Sequence, residues 1–427
     1  MKSTLWRNRD FLQLWAGETI SLFGSEVTEL ALPLTAILVL GADAGELGLL
    51  GAARFVPFLL FTLPVGVLAD RRRRRPLLIV ANLGRAAAIG SVPLLAVLGA
   101  LTMPGLIVIA FVAGALTVLF DVTYVSYIPT VVGREHLVDA NSRLQASASA
   151  AAIGGPGLGG LLVQWLSAPI ALVVDAGSYL VSAVNLLLIH ARERAPDPPV
   201  GTHGITGQIR EGFGLLLGHR SLRALAGVAG AYNLFGQWIA VLFVLFAVEE
   251  LGLSPGLIGL VISSGAVGAL FGAIFAGRVA RALGIGRAIV WAVVIECVVM
   301  LPLGFVAGPT AIVLATLFAI YFVNGCFVTM SSVHAIAYRQ AVTPEGLLGR
   351  VTAGYRFISY GSIPIGALLG GLAGEWLGLR GGLVVGTVGL LTAAVFVLLS
   401  PLREVHRLPA TPEITLSPAS RPAAKQG

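Results

Sequence analysis

The sequence predicts an all-α integral membrane protein: twelve transmembrane helices in two pseudo-symmetric six-helix bundles, with both termini cytoplasmic. Three observations carry that expectation. First, 56% of the 427 residues are hydrophobic and 11% are charged, with a mean hydropathy of +0.90, whereas an ordinary soluble domain carries about 25% charged residues. Second, the apolar runs reach the roughly 20 residues that a bilayer crossing needs, and the basic residues collect between alternate runs. Third, the second half echoes the first at an offset of about 210 residues, as a parallel transporter repeat does.

The sharpest boundary is Gly66-Val-Leu-Ala-Asp70 followed by Arg71 to Arg75 and Pro76. Five guanidinium groups do not cross hydrocarbon cheaply, so this block marks a cytoplasmic exit. Reading the other runs against their breaks places spans near 11–40, 46–69, 76–99, 105–131, 143–166 and 169–190. A second set follows near 222–249, 256–277, 288–306, 309–338, 351–374 and 382–400. With the N-terminus inside, 25 of the 28 Lys and Arg residues fall on the cytoplasmic side; Arg380 is in an outer loop, and Arg54 and Arg85 are within spans. An odd number of helices in either half would invert part of this asymmetry.

The net charge of +7 is therefore a topology signal. It is spread over inner loops rather than gathered on one soluble face, which argues against nucleic-acid binding. Cys297 and Cys326 both fall in spans, so no disulfide framework is expected. The first apolar run is too long for the core of a cleavable signal peptide.

The repeat divides the chain into a first bundle (1–190), a polar linker (191–220), a second bundle (221–400) and a tail (401–427). Glu135-His-Leu137 recurs as Glu345-Gly-Leu347, Arg9-Asp10-Phe11 as Arg220-Ser221-Leu222, and Ala69-Asp70-Arg71 as Ala276-Gly277-Arg278. The linker, with Pro196, Pro198 and Pro199, has room for a short interfacial helix at most. The tail is rich in Pro, Ala, Ser and Thr, cannot bury enough apolar surface to fold, and is expected to be disordered.

Acids within the spans give the strongest chemical hint. An ionised carboxylate at the bilayer centre costs a few kcal/mol, so an acid there faces a cavity and exchanges protons with it. At about 100° per residue, Glu18 and Glu29 fall about 20° apart and Glu26 about 80° from Glu18, one shared face of the first span. Glu26, nearest the middle, is the leading proton or cation site, followed by Glu29, Asp121 and Glu18. Pairing with Arg54 is the competing use of Glu18 and Glu29. Tyr124 and Tyr127 accompany Asp121, and their rings suit a large organic cation. Gly155, Pro156, Gly159 and Gly160 strip side chains from one span and permit a bend, which suits close packing against a moving neighbour.

These features resemble the major facilitator superfamily, in particular its twelve-helix drug and siderophore exporters, over residues 5–400. Gly66, Asp70, Arg71, Arg74 and Arg75 resemble its Gly-x-x-x-Asp-Arg-x-Gly-Arg-Arg signature, with Arg73 where glycine is usual. Gly155-Pro156-Gly-Leu-Gly159-Gly160 resembles its antiporter motif. Leu172-Val-Val-Asp175-Ala-Gly-Ser178-Tyr179 is similar to an element of the exporter branch. The resemblance implies that spans one, four, seven and ten line a central cavity, which adds Asn233, Gln237, Trp238, Tyr321 and Asn324 as cavity residues. It places Glu296 in a peripheral span, paired locally. Carboxylate and guanidinium pairing makes Asp70 and its arginines a conformational gate, with Glu135, Arg143, Glu345 and Arg350 as partners in the network; the alternative is that the arginines only anchor topology.

There is no His-Glu-x-x-His, no Gly-x-Ser-x-Gly and no P-loop, so neither catalysis, a metal, a cofactor nor ATP hydrolysis is expected. The expected activity is proton-coupled efflux of amphipathic small molecules by alternating access, with the substrate, protons and the lipid bilayer as partners and a monomer as the unit. Export of a siderophore or lipid, or transport of another solute, is the alternative within transport. A non-transporting membrane receptor or assembly partner is the alternative outside it.

Overall fold

The computed structural model describes residues 4–191, 193 and 213–406, without the side chains of Thr4, Arg134, Glu345 and Gly346. Most of the expected linker and the tail beyond residue 406 therefore lie outside the described residues. So do Lys2, Arg192, Arg194, Arg210, Arg407, Arg421 and Lys425.

Eleven helices are long and apolar enough to cross a membrane. In chain order they are α1 (Arg9–Leu40), α2 (Ala44–Arg71), α3 (Arg74–Val97), α4 (Met103–Val132), α5 (Leu137–Leu166), α6 (Ala168–Leu188), α7 (Arg220–Glu249), α8 (Pro255–Leu283), α9 (Ile285–Val298, extended by a 3₁₀ turn, Leu301–Phe305), α10 (Thr310–Val342) and α11 (Glu345–Leu398). Straight, the 54 residues of α11 would reach about 80 Å, more than two hydrocarbon thicknesses. It breaks at Gly378, whose φ of 72° and ψ of 168° no helix accommodates, so α11 is two spans meeting at a sharp turn. The twelve expected spans are thus present, the last two joined by a single residue rather than a loop. A further helical turn covers residues 213–218, within the expected linker.

Local chemistry sets the ends. The Asn8 side chain accepts from the Asp10 and Phe11 amides and starts α1, while Gly41, at φ 65°, closes it. Asp43 and Glu46 form a reciprocal capping box on α2. Glu193 accepts from the Arg74 and Arg75 amides, and the Arg75 guanidinium donates to the Leu186 and Leu187 carbonyls, so the arginine block ties α3 to the end of α6. The expectation of disorder from 401 onward does not hold for residues 401–406. Pro401–Glu404 form a 3₁₀ turn, Leu402 is fully buried, and the Val405 and His406 carbonyls accept from the first amides of α9.

Within the first half, α1 packs on α5 and α6, α2 on α4, and α3 on α4 and α6; within the second, α7 packs on α11, and α8 and α9 on α10. The halves meet along two seams, α2 on α11 and α5 on α8. A methyl group at Gly48 would sit 2.7 Å from the Ala367 carbonyl oxygen, and one at Gly371 2.7 Å from that of Ala44. In the other seam, methyls at Gly259 and Gly160 would overlap the Pro156 and Pro255 carbonyl oxygens. Gly48 with Gly259, Gly371 with Gly160, and Glu375 beside Gly45 with Gln164 beside Gly256 are all related by one offset, close to the repeat of about 210 residues. Glycine at each crossing lets two backbones touch.

Both seams lie toward the end that carries the short turns at Gly41, Gly252 and Gly378, the arginine-poor end. Two hydrogen bonds cross there, Gly157 amide to Ser263 Oγ at 3.0 Å and Gly256 amide to Gln164 Oε1 at 3.2 Å. Toward the arginine-rich end α2 leaves α11: Phe58 stacks on Tyr360 at 6.4 Å, and beyond them Leu63, Leu68 and Phe357 are exposed and Gly66 has no atom over it.

Candidate functional site

Between the halves, just below the seams, lies a cavity of about 370 Å³. Its polar lining is Glu26, Glu29, Arg54, Gln237 and Tyr321; the rest is apolar, including Phe55, Phe243 and Pro156. Glu26 projects into it from the middle of α1. Its stem rests on α5, because a methyl at Gly155 would overlap the Glu26 Cβ. Gly159, one turn on, faces Val27 of α1, whereas Pro156 and Gly160 face α8. The glycine-rich stretch is thus a spacer with two working faces, one holding Glu26 and the other forming the α5–α8 seam.

Glu29, one turn from Glu26, makes a bidentate ion pair with Arg54 of α2. Their side chains remain 49% and 26% exposed, which leaves the pair open to cavity space rather than sealed in packing. Among the described residues Glu26 has no such cation paired with it. The cavity therefore presents one uncompensated carboxyl, a neutralised pair and aromatic walls, a surface that suits an amphipathic cation.

A second cavity, of about 250 Å³, lies within the first half among α1, α2, α3, α4 and α6. It is lined by Glu18, Asp121, Arg85, Ser25, Thr117 and Tyr179, and again by Glu29 and Arg54. The Arg85 guanidinium is held between the rings of Phe120 and Tyr179, 4.2 and 4.3 Å from their centroids, and donates to Asn82, which in turn bonds Ser182 at 2.9 Å. Asp175, fully buried, accepts from Thr28 and Ser178 where α6 crosses Gly24 of α1. Among the described residues the middle of the first half holds five carboxyls, those of Glu18, Glu26, Glu29, Asp121 and Asp175, against the two guanidiniums of Arg54 and Arg85.

The remaining residues singled out from sequence divide clearly. Gln237 and Tyr321 line the central cavity. Trp238 is buried, donating to the Gly382 carbonyl at 2.9 Å, and lines neither cavity. Asn233 ties α7 to Ser359 of α11, and Asn324 joins the Tyr232 hydroxyl to the Glu296 carbonyl. Glu296 itself accepts from Ser331, the local pairing expected of it. Tyr124, stacked on Phe120, and Tyr127 are buried and line neither cavity. At the arginine-rich end Asp70 and Arg71 are exposed, and Asp70 has no ion-pair partner among the described residues. Arg74 and Arg75 join the α3–α6 tie, Arg143 lies over the Trp6 ring at 4.3 Å, and Arg350 is half-buried and engaged. Exposed Glu135 sits 3.3 Å from His136, and its own backbone amide holds its carboxyl below the usual range. The Glu345 side chain lies outside the described residues. Arg85 and Asp175 were not picked out as site residues, although a lone arginine in an otherwise apolar span is a signal by itself.

A family model described as transmembrane secretion effector matches residues 4–420. The multidrug efflux pump Tap of Mycolicibacterium fortuitum is 28% identical over 392 residues, covering 90% of this chain and 93% of that protein. Macrolide efflux protein A of Streptococcus pyogenes is 24% identical, over 62% of this chain and 66% of that protein. The fold is similar to that of a bacterial homologue of the iron transporter ferroportin in its inward-facing state, with a TM-score of 0.72 and 20% identity over 93% of this chain and 99% of that one. It is also similar to the nucleoside transporter NupG, with a TM-score of 0.74 and 10% identity over 91% and 98%.

Proposed function

Because the chain belongs to the transmembrane secretion effector family of the major facilitator superfamily, we propose that it exports amphipathic organic cations in exchange for protons. It is a multi-pass cell-membrane transporter of the efflux type, not an enzyme. The observation that carries the finer reading is the central cavity, where Glu26 stands without a counter-cation among aromatic and aliphatic walls. Such a carboxyl attracts either a cationic substrate or a proton, and exchange of one for the other is antiport.

The arginine-rich end faces the cytoplasm in this reading, by the positive-inside bias. Substrate enters there, past the parted ends of α2 and α11, and the two glycine seams close the outer side. Release requires the seams to part and the arginine-rich end to close, with Asp70 then engaging the opposite half. Both bundles and both seams come from one chain, so a monomer suffices.

The reading is tested in inside-out membrane vesicles. Ethidium should accumulate in the lumen against its gradient when the lumen is acid, and accumulation should stop when nigericin collapses the pH difference. Accumulation that survives nigericin removes proton coupling. No transport of ethidium or of any compound in a broad panel favours a receptor or assembly role.

A further inference from the structure

The second cavity is built differently from the first. No residue of the second half lines it, so a substrate held between the bundles does not occupy it, and its volume of about 250 Å³ suits a few waters. Glu18 and Asp121 face it from α1 and α4, and the Arg85 cation faces it from α3. Arg85 is immobilised by two aromatic rings and Asn82, and its Nε is buried without a partner. One fixed cation balances one carboxylate. The second carboxyl then carries a proton, as one of two neighbouring acids beside a single cation must in a low-dielectric setting.

Other charged and titratable groups are packed around this chamber. Asp175 of α6 is spent on Thr28 and Ser178, the Tyr179 hydroxyl is paired with Ser25 at 3.0 Å, and Tyr124 of α4 is stacked on Phe120 with its buried hydroxyl unpartnered among the described residues. Glu29 of α1 and Arg54 of α2 remain, and with Leu32 and Phe55 they line both cavities.

We propose that the exchanged proton is held in this second cavity, shared by Glu18 and Asp121 against Arg85, and that the Glu29–Arg54 pair couples it to substrate arrival in the first. The inference rests on the exporter reading above. A cation entering the central cavity competes with Arg54 for Glu29. The loosened guanidinium then faces Glu18 and Asp121, where its charge balances a second carboxylate. The O–H bond of the shared acid breaks, and the proton passes to water in the cavity and leaves at the cytoplasmic end. One cation is bound and one proton released. Arg54 and Arg85 are positioning residues, acting through the carboxyls.

The test uses purified full-length protein in weakly buffered detergent solution, with ethidium as the probe and a pH indicator reading proton release. The parent should release about one proton per ethidium bound near neutral pH. Glu18→Gln and Asp121→Asn each leave a single carboxylate beside Arg85 with no proton to exchange. Each variant should bind ethidium at pH 9 within about threefold of the parent, release no proton, and lose the pH dependence of its affinity. Glu29→Gln should weaken binding less than tenfold yet also abolish release. A Glu18→Gln or Asp121→Asn variant that binds and still releases the parent's proton overturns the inference and places the proton on Glu26, with the exporter reading intact. A parent that binds ethidium with no proton release at any pH, or does not bind it, sinks the proton-coupled cation reading on which the inference rests. Binding at pH 9 shows that each variant is folded.

Discussion

Glu26 and the glycine beneath it are the residues on which the proposed substrate site turns. A glutamine at position 26 keeps the shape and hydrogen bonding of a protonated glutamic acid but presents no negative charge. Glu26→Gln should therefore weaken ethidium binding at least tenfold while leaving an uncharged amphipathic ligand of similar size nearly unaffected; equal losses for both would mean that Glu26 does not read charge. Gly155→Ala places a methyl on the Glu26 stem. Overpacking of this kind costs about 1–3 kcal/mol and here displaces Glu26 as well, so this variant should lose both thermal stability and cation affinity. Depth and helical facing single out Glu26, Glu29 and Glu18 in the sequence, since an acid in a span is conspicuous, but the one shared face expected of them is divided: Glu26 lines the central cavity, Glu18 the second and Glu29 both. The partners were not legible in the same way. Asn233, Asn324 and Trp238 are polar groups in apolar helices whether they meet substrate or a neighbouring helix, and here they serve hydrogen bonds between helices.

The helices meet as paired seams, and each seam predicts the behaviour of the other. Gly48→Ala and Gly259→Ala both insert a methyl against a backbone carbonyl, which cannot yield as a flexible side chain does. Each should hold the arginine-poor end apart, raising the reactivity of a cysteine placed in the central cavity toward a membrane-impermeant reagent from outside. Because the seams are related by the repeat, the two effects should be of similar size, and an effect confined to Gly259→Ala would make α5–α8 the sole outer gate. At the other end Asp70 is exposed in this open arrangement, with no ion-pair partner among the described residues. Asp70→Asn should slow turnover more than it weakens substrate affinity, and the opposite split would remove Asp70 from the gate. Hydropathy located the helices to within six residues at either end. It missed that the eleventh and twelfth spans join at Gly378, because a sharp turn there needs one glycine and no polar loop.

At the scale of the whole molecule, charge asymmetry and the repeat made twelve spans in two bundles readable, because membrane insertion writes the first into the sequence and the doubled architecture the second. The seams were only half readable. Gly160 belongs to a recognisable motif, whereas its repeat partner Gly371 lies in Gly366-Ala-Leu-Leu-Gly370-Gly371 and acquires meaning only when α2 is seen against it. The second cavity was unreadable because it is assembled from five helices: α1 brings Glu18, Ser21, Ser25, Thr28 and Glu29, but Arg54, Arg85, Asp121 and Tyr179 come from four other helices and meet them only in the fold. Cation export coupled to protons is the central claim, and reversal of the cycle is its most direct test. In liposomes holding the purified protein, with no initial pH difference, an imposed outward ethidium gradient should drive protons inward and acidify the lumen, and the Glu18→Gln variant should not. Ethidium that runs down its gradient through the parent protein with no change in lumenal pH would contradict the account.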